Sequence, residues 1–205
     1  GLAQVQTNNK AGLTFAAALR SFLRQDPDII MVGEIRDEET AKIATESALT
    51  GHLVLATLHT NDAAGAITRL AEMGVDRFNI NASLLGVLAQ RLARRVCKHC
   101  SQPATPDEKI AKSLGVTEER LAQSDYRVGA GCEECGGTGY RGRTGIHELL
   151  TMSPELEKAI GEAQPTDRLR EIGRRTGMTT LREDAVAKAL QGVTTFDEVL
   201  RITAD

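Results

Sequence analysis

The sequence predicts an α/β fold with a parallel sheet, because strand-like and helix-like segments alternate over its first 95 residues. An apolar run at Ile29–Val32 precedes a helical pattern near Glu38–Thr50, and a second run at His52–Leu58 precedes another pattern from about Asp62 to Glu72. Such alternation is typical of strand–helix–strand units, whose neighbouring strands run parallel. A chain of 205 residues is long enough for one sizeable core or two small ones.

Several helix starts are marked by capping residues. Thr14 precedes an apolar stripe at helical spacing, and Ser153 precedes a proline, which is favoured at the first helical position. Thr180 and Thr195 are each followed three residues later by a glutamate, Glu183 and Glu198, so we predict two capping boxes. Three or four short helices are therefore expected after residue 153.

One long amphipathic helix is expected from about Phe78 to Val96. Its end carries Arg91, Arg94 and Arg95, and basic residues there suit the negative end of the helix dipole. An insert at about Asp107–Gln123 is expected to form one or two short helices.

Polar residues follow both predicted strands. Glu34 and Arg36 follow the first, and His59 follows the second. Ligands bind at the carboxyl edge of parallel sheets, so this edge is a candidate binding site. A carboxylate at a strand end can order the attacking water and the Mg²⁺ shell, which makes ATP hydrolysis a candidate reaction. Taken alone, an apolar run followed by Gly-Glu also fits a buried strand with an exposed turn, and a histidine there either lies near a phosphate or bonds a carbonyl. No segment matches G-x-x-x-x-G-K-[ST], the loop that holds phosphates.

The four cysteines form two C-x-x-C pairs, Cys97 with Cys100 and Cys132 with Cys135. Two such pairs supply the four thiolates of a closed tetrahedral zinc site. Disulfides are the alternative, but no secretion signal is visible, which favours a metal in a reducing compartment. His99 lies inside the first pair and is expected to be a surface residue.

Composition and sequence patterns argue against several function classes. The net charge of −3 and the 3% of aromatic residues give little support to nucleic-acid binding. No apolar stretch approaches the length of a membrane-spanning helix, and the first residues show no export signal. These first residues lack an initiator methionine and resemble the middle of a domain, so we expect an excised fragment of a longer protein, here called the parent protein.

The order and spacing of these motifs closely resemble the secretion ATPases that power type II secretion and type IV pilus assembly. The resemblance covers practically the whole chain and rests on GLTFAAALRSFLRQDPDIIMVGEIRDEETAKIATESALTGHLVLATLHTND, LLGVLAQRLARRVCKHC, GYRGRTGIHELL and QGVTTFDEVLRIT. In that family GEIRD is an atypical Walker B motif, which accounts for Gly33 in place of the usual aspartate. The tetracysteine set is similar to that of the assembly and type II branches, whereas retraction motors usually lack it.

The resemblance implies roles for individual residues. Glu34 matches the catalytic carboxylate, and His59 matches the family's His box. Four further residues match positions near the nucleotide or a neighbouring subunit: Arg20, Arg24, Arg36 and His52.

The resemblance also implies an architecture and a setting. Residues 1–95 would be the later part of a RecA-like P-loop NTPase core, residues 96–150 a four-cysteine zinc module, and residues 151–205 a small helical bundle. The parent protein would be a hexameric, cytoplasmic ATPase at the inner membrane, bound to platform proteins of a secretion or pilus system. It would hydrolyse MgATP, with zinc as a structural metal. The fragment alone would be inactive because its sequence lacks the phosphate loop.

A second interpretation remains open. The segment CEECGGTG, from Cys132 to Gly139, fits C-x-x-C-x-G-x-G, which is found in the zinc region of J-domain co-chaperones. The chain would then be a non-enzymatic zinc module for protein contacts. That interpretation leaves residues 25–62 unexplained.

Overall fold

The computed structural model describes residues 3–204, which form two compact units. The first unit comprises residues 3–87 and Leu150–Thr176, and the second comprises Leu88–Leu149 and residues 177–204. In chain order the elements are α1 (Phe15–Leu23), β1 (Ile29–Val32), α2 (Glu38–Leu49), β2 (Leu53–Ala56), α3 (Ala63–Glu72), α4 (Arg77–Ser83), β3 (Gly86–Val96), β4 (Ser101–Pro103), α5 (Glu108–Ser113), α6 (Glu118–Ala122), β5 (Arg127–Gly129), β6 (Tyr140–Thr151), α7 (Pro154–Gly161), α8 (Thr166–Arg175), α9 (Leu181–Leu190) and α10 (Phe196–Thr203).

The predicted parallel strand pair is present in the first unit. Strands β1 and β2 run parallel in a register that pairs Ile29 with Leu53 and Val32 with Ala56. Helix α2 connects them and begins at Asp37, whose Oδ1 accepts a hydrogen bond from the Thr40 amide at 2.8 Å. It ends before Gly51, which adopts the positive φ of 101° that glycine tolerates. The α/β prediction is confirmed.

The predicted helix over Phe78–Val96 is wrong. Helix α4 ends at Ser83, and strand β3 occupies Gly86–Val96, so the three arginines lie along a strand. The misleading pattern is the four-residue spacing of Leu88, Leu92 and Val96, which suits one face of a helix. Four is also a multiple of the two-residue period of a strand, so pairing with β6 decides the conformation.

The second unit is built on antiparallel pairs. The Cys97 amide donates to the Gly139 carbonyl beyond the last residue of β3 and before the first of β6, so these paired strands run antiparallel. Strands β4 and β5 are also antiparallel. The unit's core includes Ile146, Phe196 and Val199, each at most 1% exposed. The predicted insert between the cysteine pairs does contain two short helices, α5 and α6.

One of the two predicted capping boxes is complete. Thr180 and Glu183 exchange both hydrogen bonds at the start of α9. At α10 Thr195 accepts from the Glu198 amide, but the predicted reciprocal bond, from the Thr195 amide to the Glu198 carboxylate, is not present. The Glu198 carboxylate is fully buried and accepts instead from the backbone amide of Arg94 at 2.8 Å and from the guanidinium groups of Arg94 and Arg201. The bonds from the charged guanidinium groups are the stronger ones.

Within the described residues four helices follow β6, in agreement with the three or four predicted. Helix α7 begins at the expected cap, where Ser153 Oγ accepts from the Leu156 amide at 3.3 Å, and it packs against α8 in the first unit. Helices α9 and α10 pack together in the second unit. Within residues 3–204, none of the helices has both the length and the apolar character needed to cross a bilayer.

Candidate active site and candidate metal centre

The carboxyl ends of β1 and β2 remain hydrogen-bonded after the strands end. The Ile35 amide donates to the Thr57 carbonyl at 2.9 Å, and Thr57 Oγ1 donates to the Gly33 carbonyl at 2.5 Å. These two bonds hold the loops after the strands side by side. Residues that follow the strands are thereby brought to one edge of the sheet.

Glu34 and His59 meet at that edge. Glu34 Oε1 lies 2.6 Å from His59 Nε2, and the other carboxylate oxygen accepts from Nε of Arg36 at 2.5 Å. The Glu34 side chain is 14% exposed, whereas the imidazole of His59 is 88% exposed. The carboxylate of Glu34 is therefore largely removed from solvent, while the imidazole of His59 faces outward.

The electrostatics of the edge keep Glu34 ionised. The hydrogen bond from Arg36 lowers the pKa of the Glu34 carboxyl most; desolvation opposes it, and the charges of Arg36 and His59 lower it further. The same hydrogen bond raises the pKa of the Arg36 guanidinium. An ionised carboxylate beside an exposed imidazole can accept a hydrogen bond from water and orient it toward a bound phosphate.

Three other predicted nucleotide contacts lie elsewhere in the first unit. Arg20 pairs with Glu39 at 2.7 Å, and Nε of Arg24 donates to the Arg20 carbonyl at 3.4 Å. His52 precedes β2, at the end of the strand opposite His59, and its Nδ1 lies 2.9 Å from the Ser47 carbonyl. The structure therefore assembles Glu34, Arg36 and His59, and gives the other three residues local contacts.

One contact at this edge was missed by sequence reasoning. Asp62 ends the loop that carries His59, and its Oδ2 lies 2.6 Å from a terminal nitrogen of Arg170 on α8. More than one hundred residues separate the pair in the chain, and Arg170 has no local motif that would mark it. Such a pair becomes visible only when α8 is seen packed against α3.

The four cysteines form a compact cluster in the second unit. Their Sγ atoms all lie within 4.8 Å of one another, with separations of 3.9 Å for Cys97–Cys132, 3.9 Å for Cys100–Cys135 and 3.7 Å for Cys132–Cys135. A tetrahedral zinc ion with Zn–S bonds of about 2.3 Å requires sulfur separations of about 3.8 Å. All four thiols are free, and these separations are far too long for disulfide bonds. The residues present therefore fit a zinc ion.

Backbone groups prepare this cluster to bind a cation. Burial raises the pKa of the Cys135 thiol, but amide donors from Cys132 and Gly139, at 3.2 and 3.3 Å, outweigh burial and lower it to about 6. Burial raises the pKa of the Cys100 thiol to about 12. Thiolates are the form that binds metal.

Gly129 and Gly139, on either side of the second cysteine pair, pack closely against each other. A Cβ added to Gly129 would lie 2.0 Å from the Gly139 carbonyl oxygen, so the two backbones approach too closely for any side chain. Gly139 also has a φ of 75°. The last glycine of the C-x-x-C-x-G-x-G pattern thus follows from the local geometry of this turn.

Comparison with known proteins places the chain among secretion proteins. A family model described as "Type II/IV secretion system protein" matches residues 1–201. The chain is 62% identical over 205 residues to the type IV pilus assembly ATPase PilB of Thermus thermophilus, covering 100% of this chain and 23% of that protein. It is 48% identical over 205 residues to the type II secretion system protein HxcR of Pseudomonas aeruginosa, covering 100% of this chain and 40% of that protein. The chain thus spans between about a quarter and two fifths of these relatives.

Solved structures with similar folds include a pilus retraction motor and an ATPase. The pilus retraction motor PilT with bound ADP superposes with a TM-score of 0.64 at 27% identity, over 94% of this chain and 44% of that chain. The ATPase DotB of Legionella pneumophila superposes with a TM-score of 0.65 at 24% identity, over 97% of this chain and 45% of that chain. The second likeness concerns the fold alone.

Proposed function

Because this chain belongs to the type II/IV secretion system protein family, we propose that it supplies the Walker B and His-box edge of an ATPase. The parent protein hydrolyses MgATP and uses the energy to assemble a pilus or pseudopilus and to secrete proteins. The observation that carries this proposal is the 2.6 Å contact between Glu34 Oε1 and His59 Nε2 at the carboxyl edge of two parallel strands. Relatives named as pilus assembly ATPases support the same activity.

Glu34 orients the attacking water, and His59 contacts the γ-phosphate. Phosphoryl transfer proceeds through a loose transition state, so catalysis depends on positioning and electrostatics more than on a strong base. A carboxylate whose pKa is lowered is a weak base but remains ionised, which suits this positioning role. Arg36 neutralises the carboxylate in the absence of nucleotide, and its exposed guanidinium can turn toward phosphate.

The remaining nucleotide contacts and the architecture belong to the same proposal. Arg20, Arg24 and His52 stay predictions as nucleotide-binding residues. The parallel β1–β2 pair with its connecting helix supports a RecA-like core for residues 1–95, and the helical subdomain over 151–205 also stays a prediction. The isolated chain does not turn over ATP, because its sequence contains no phosphate-binding loop.

We assign the cysteine cluster to a structural zinc ion. Four thiols at tetrahedral spacing leave no coordination position for water, so the ion holds the turn between β5 and β6 and performs no chemistry. The co-chaperone interpretation accounts only for residues 132–139, whereas the family match spans residues 1–201.

The setting of the parent protein is proposed from its relatives. We propose a hexameric ring in the cytoplasm that docks on inner-membrane platform proteins of a secretion or pilus system. Assembly into a ring would let arginines of one subunit reach nucleotide held by its neighbour.

The proposal is tested in the parent protein with Glu34→Gln. This variant should lower ATP turnover at least 100-fold while leaving nucleotide binding intact, because the amide cannot orient water as a carboxylate does. Glu72→Gln is the matched control, since Glu72 is an exposed helix residue of the same unit that pairs with Arg69. Near-normal hydrolysis by Glu34→Gln would remove Glu34 from the catalytic role.

A further inference from the structure

Helix α8 is tied to the loop that carries His59 by a charged hydrogen bond. A terminal nitrogen of Arg170 donates to Asp62 Oδ2 at 2.6 Å, and the other terminal nitrogen donates to Asp167 at 2.6 Å on its own helix. The Asp62 side chain is 22% exposed and that of Arg170 is 36% exposed. The guanidinium is thus fixed from both sides in a partly enclosed position.

Asp62 itself links the loop to helix α3. Its Oδ1 accepts from the Gly65 amide at 2.7 Å and caps α3, while Thr60 Oγ1 donates to its backbone carbonyl at 3.1 Å. A Cβ on Gly65 would lie 3.0 Å from Oδ1, so the carboxylate sits directly against the first turn of the helix. One side chain therefore fixes the direction in which the chain leaves His59 and enters α3.

A second contact keeps α8 in place. Thr68 Oγ1 on α3 lies 2.8 Å from Thr166 Oγ1 on α8, and the two helices pack together along this side. Arg170 therefore reaches Asp62 from a helix that is already held, instead of from a mobile segment.

The imidazole of His59 needs this support because packing gives it little. It is 88% exposed, so its position against Glu34 depends on the path of the loop between β2 and α3. Catalytic groups lose effectiveness when they move by about 1 Å, even when they keep their chemistry.

We propose that Arg170 is a positioning residue: through Asp62 it fixes the loop that holds the His59 imidazole against Glu34. The inference rests on the proposed ATPase function for its catalytic consequence, but the positional claim stands on the 205-residue chain itself. The inference gives helix α8, more than one hundred residues downstream, an indirect influence on the edge that is proposed to bind phosphate.

The positional claim is tested by NMR of the imidazole nitrogens in the 205-residue chain. Arg170→Gln removes the charged donor, and Asp62→Asn removes the acceptor charge while keeping a good helix cap. Both variants should shift the His59 nitrogen signals. The double variant should shift these signals no further than the single variants do. The chain's other three histidines serve as internal references. Unchanged His59 signals in both single variants would overturn the proposal.

Arg168→Gln is the matched control. Arg168 lies on the same helix and pairs with Glu171 at 2.6 Å, three residues away, without reaching the His59 loop. This variant should leave the His59 signals unchanged. An equal shift in Arg168→Gln would mean that α8 acts only through general stability, and would overturn the specific role of Arg170.

The catalytic consequence is measured as ATP turnover in the parent protein. Arg170→Gln should lower kcat on the order of 10- to 100-fold with little change in KM, and Arg170→Lys should recover part of the loss. If Glu34→Gln abolishes turnover while Arg170→Gln leaves kcat unchanged, the positioning role fails and the ATPase assignment stands. If Glu34→Gln leaves turnover unchanged, the proposed catalytic role of Glu34 fails, and the NMR comparison still decides the positional claim.

Discussion

Glu34 Oε1 and His59 Nε2 lie 2.6 Å apart, although the two residues follow different strands of the sheet. The contact exists because β1 and β2 are parallel and because backbone bonds continue beyond their ends. The second carboxylate oxygen of Glu34 accepts a hydrogen bond from Arg36. The edge therefore presents an ionised carboxylate with one exposed imidazole and one exposed guanidinium around it.

Arg36→Ala should raise the pKa of Glu34 more than His59→Ala does. The hydrogen bond from Arg36 is the largest cause of the lowered pKa, and the contribution of His59 is smaller. Carbon-13 NMR titration of the Glu34 carboxyl in both variants measures the difference. A larger rise in His59→Ala would show that the imidazole, rather than the guanidinium, holds the carboxylate in its charged form.

Glu198→Gln should destabilise the second unit by about 2 kcal/mol at pH 7, because hydrogen bonds to a charged group are lost. The Glu198 carboxylate is fully buried and accepts from Arg94 at 2.9 Å and from Arg201 at 2.8 Å. Denaturant unfolding followed by circular dichroism measures the loss. Asp197→Asn, an exposed change on the same helical turn, should cost less than about 1 kcal/mol.

The stability lost in Glu198→Gln should also depend on pH. Burial raises the pKa of Glu198, but hydrogen bonds from Arg201 and Arg94 outweigh it and lower the value from 4.5 to about 2. A lowered pKa contributes stability that is complete above the unfolded value and is lost as the pH falls through the folded value. The gap in unfolding free energy between wild type and Glu198→Gln should therefore shrink between pH 4.5 and about 2. A gap that stays constant over that range would contradict the buried ion pair.

The cysteine cluster should bind one zinc ion per chain. Elemental analysis of the purified protein measures the stoichiometry, and Cys132→Ser should lower it well below one because only three thiolates remain. His99→Ala should keep one zinc, since this exposed histidine lies between the ligands of the first pair without joining the cluster. Removal of the metal should destabilise this module by on the order of 10 kcal/mol. A zinc-free wild-type protein with reactive thiols would contradict the assignment.

Local signals predicted much of the fold. The cap at Thr14, the boundaries of Ile29–Val32 and the complete box at Thr180 depend on neighbouring residues, and all three are present. The proximity of Glu34 and His59 followed from one further rule, that parallel strands end at the same edge.

Features set by distant contacts were not predictable from the sequence. Residues 86–96 form a strand because β6 pairs with them, and their four-residue spacing fits a helix equally well. Glu198 departs from its capping role because Arg94, which is remote in the chain, reaches it. The Asp62–Arg170 pair likewise depends on the packing of α3 against α8.

A double-mutant cycle on ATP turnover in the parent protein tests the central claim most directly, with Glu34→Gln, His59→Ala and both changes together. The effects of mutating residues that act as one unit are not additive. The double variant should therefore turn over ATP at most about 3-fold more slowly than Glu34→Gln. If the two losses multiply, or if His59→Ala turns over ATP at the wild-type rate, the carboxylate and the imidazole do not work together at this edge.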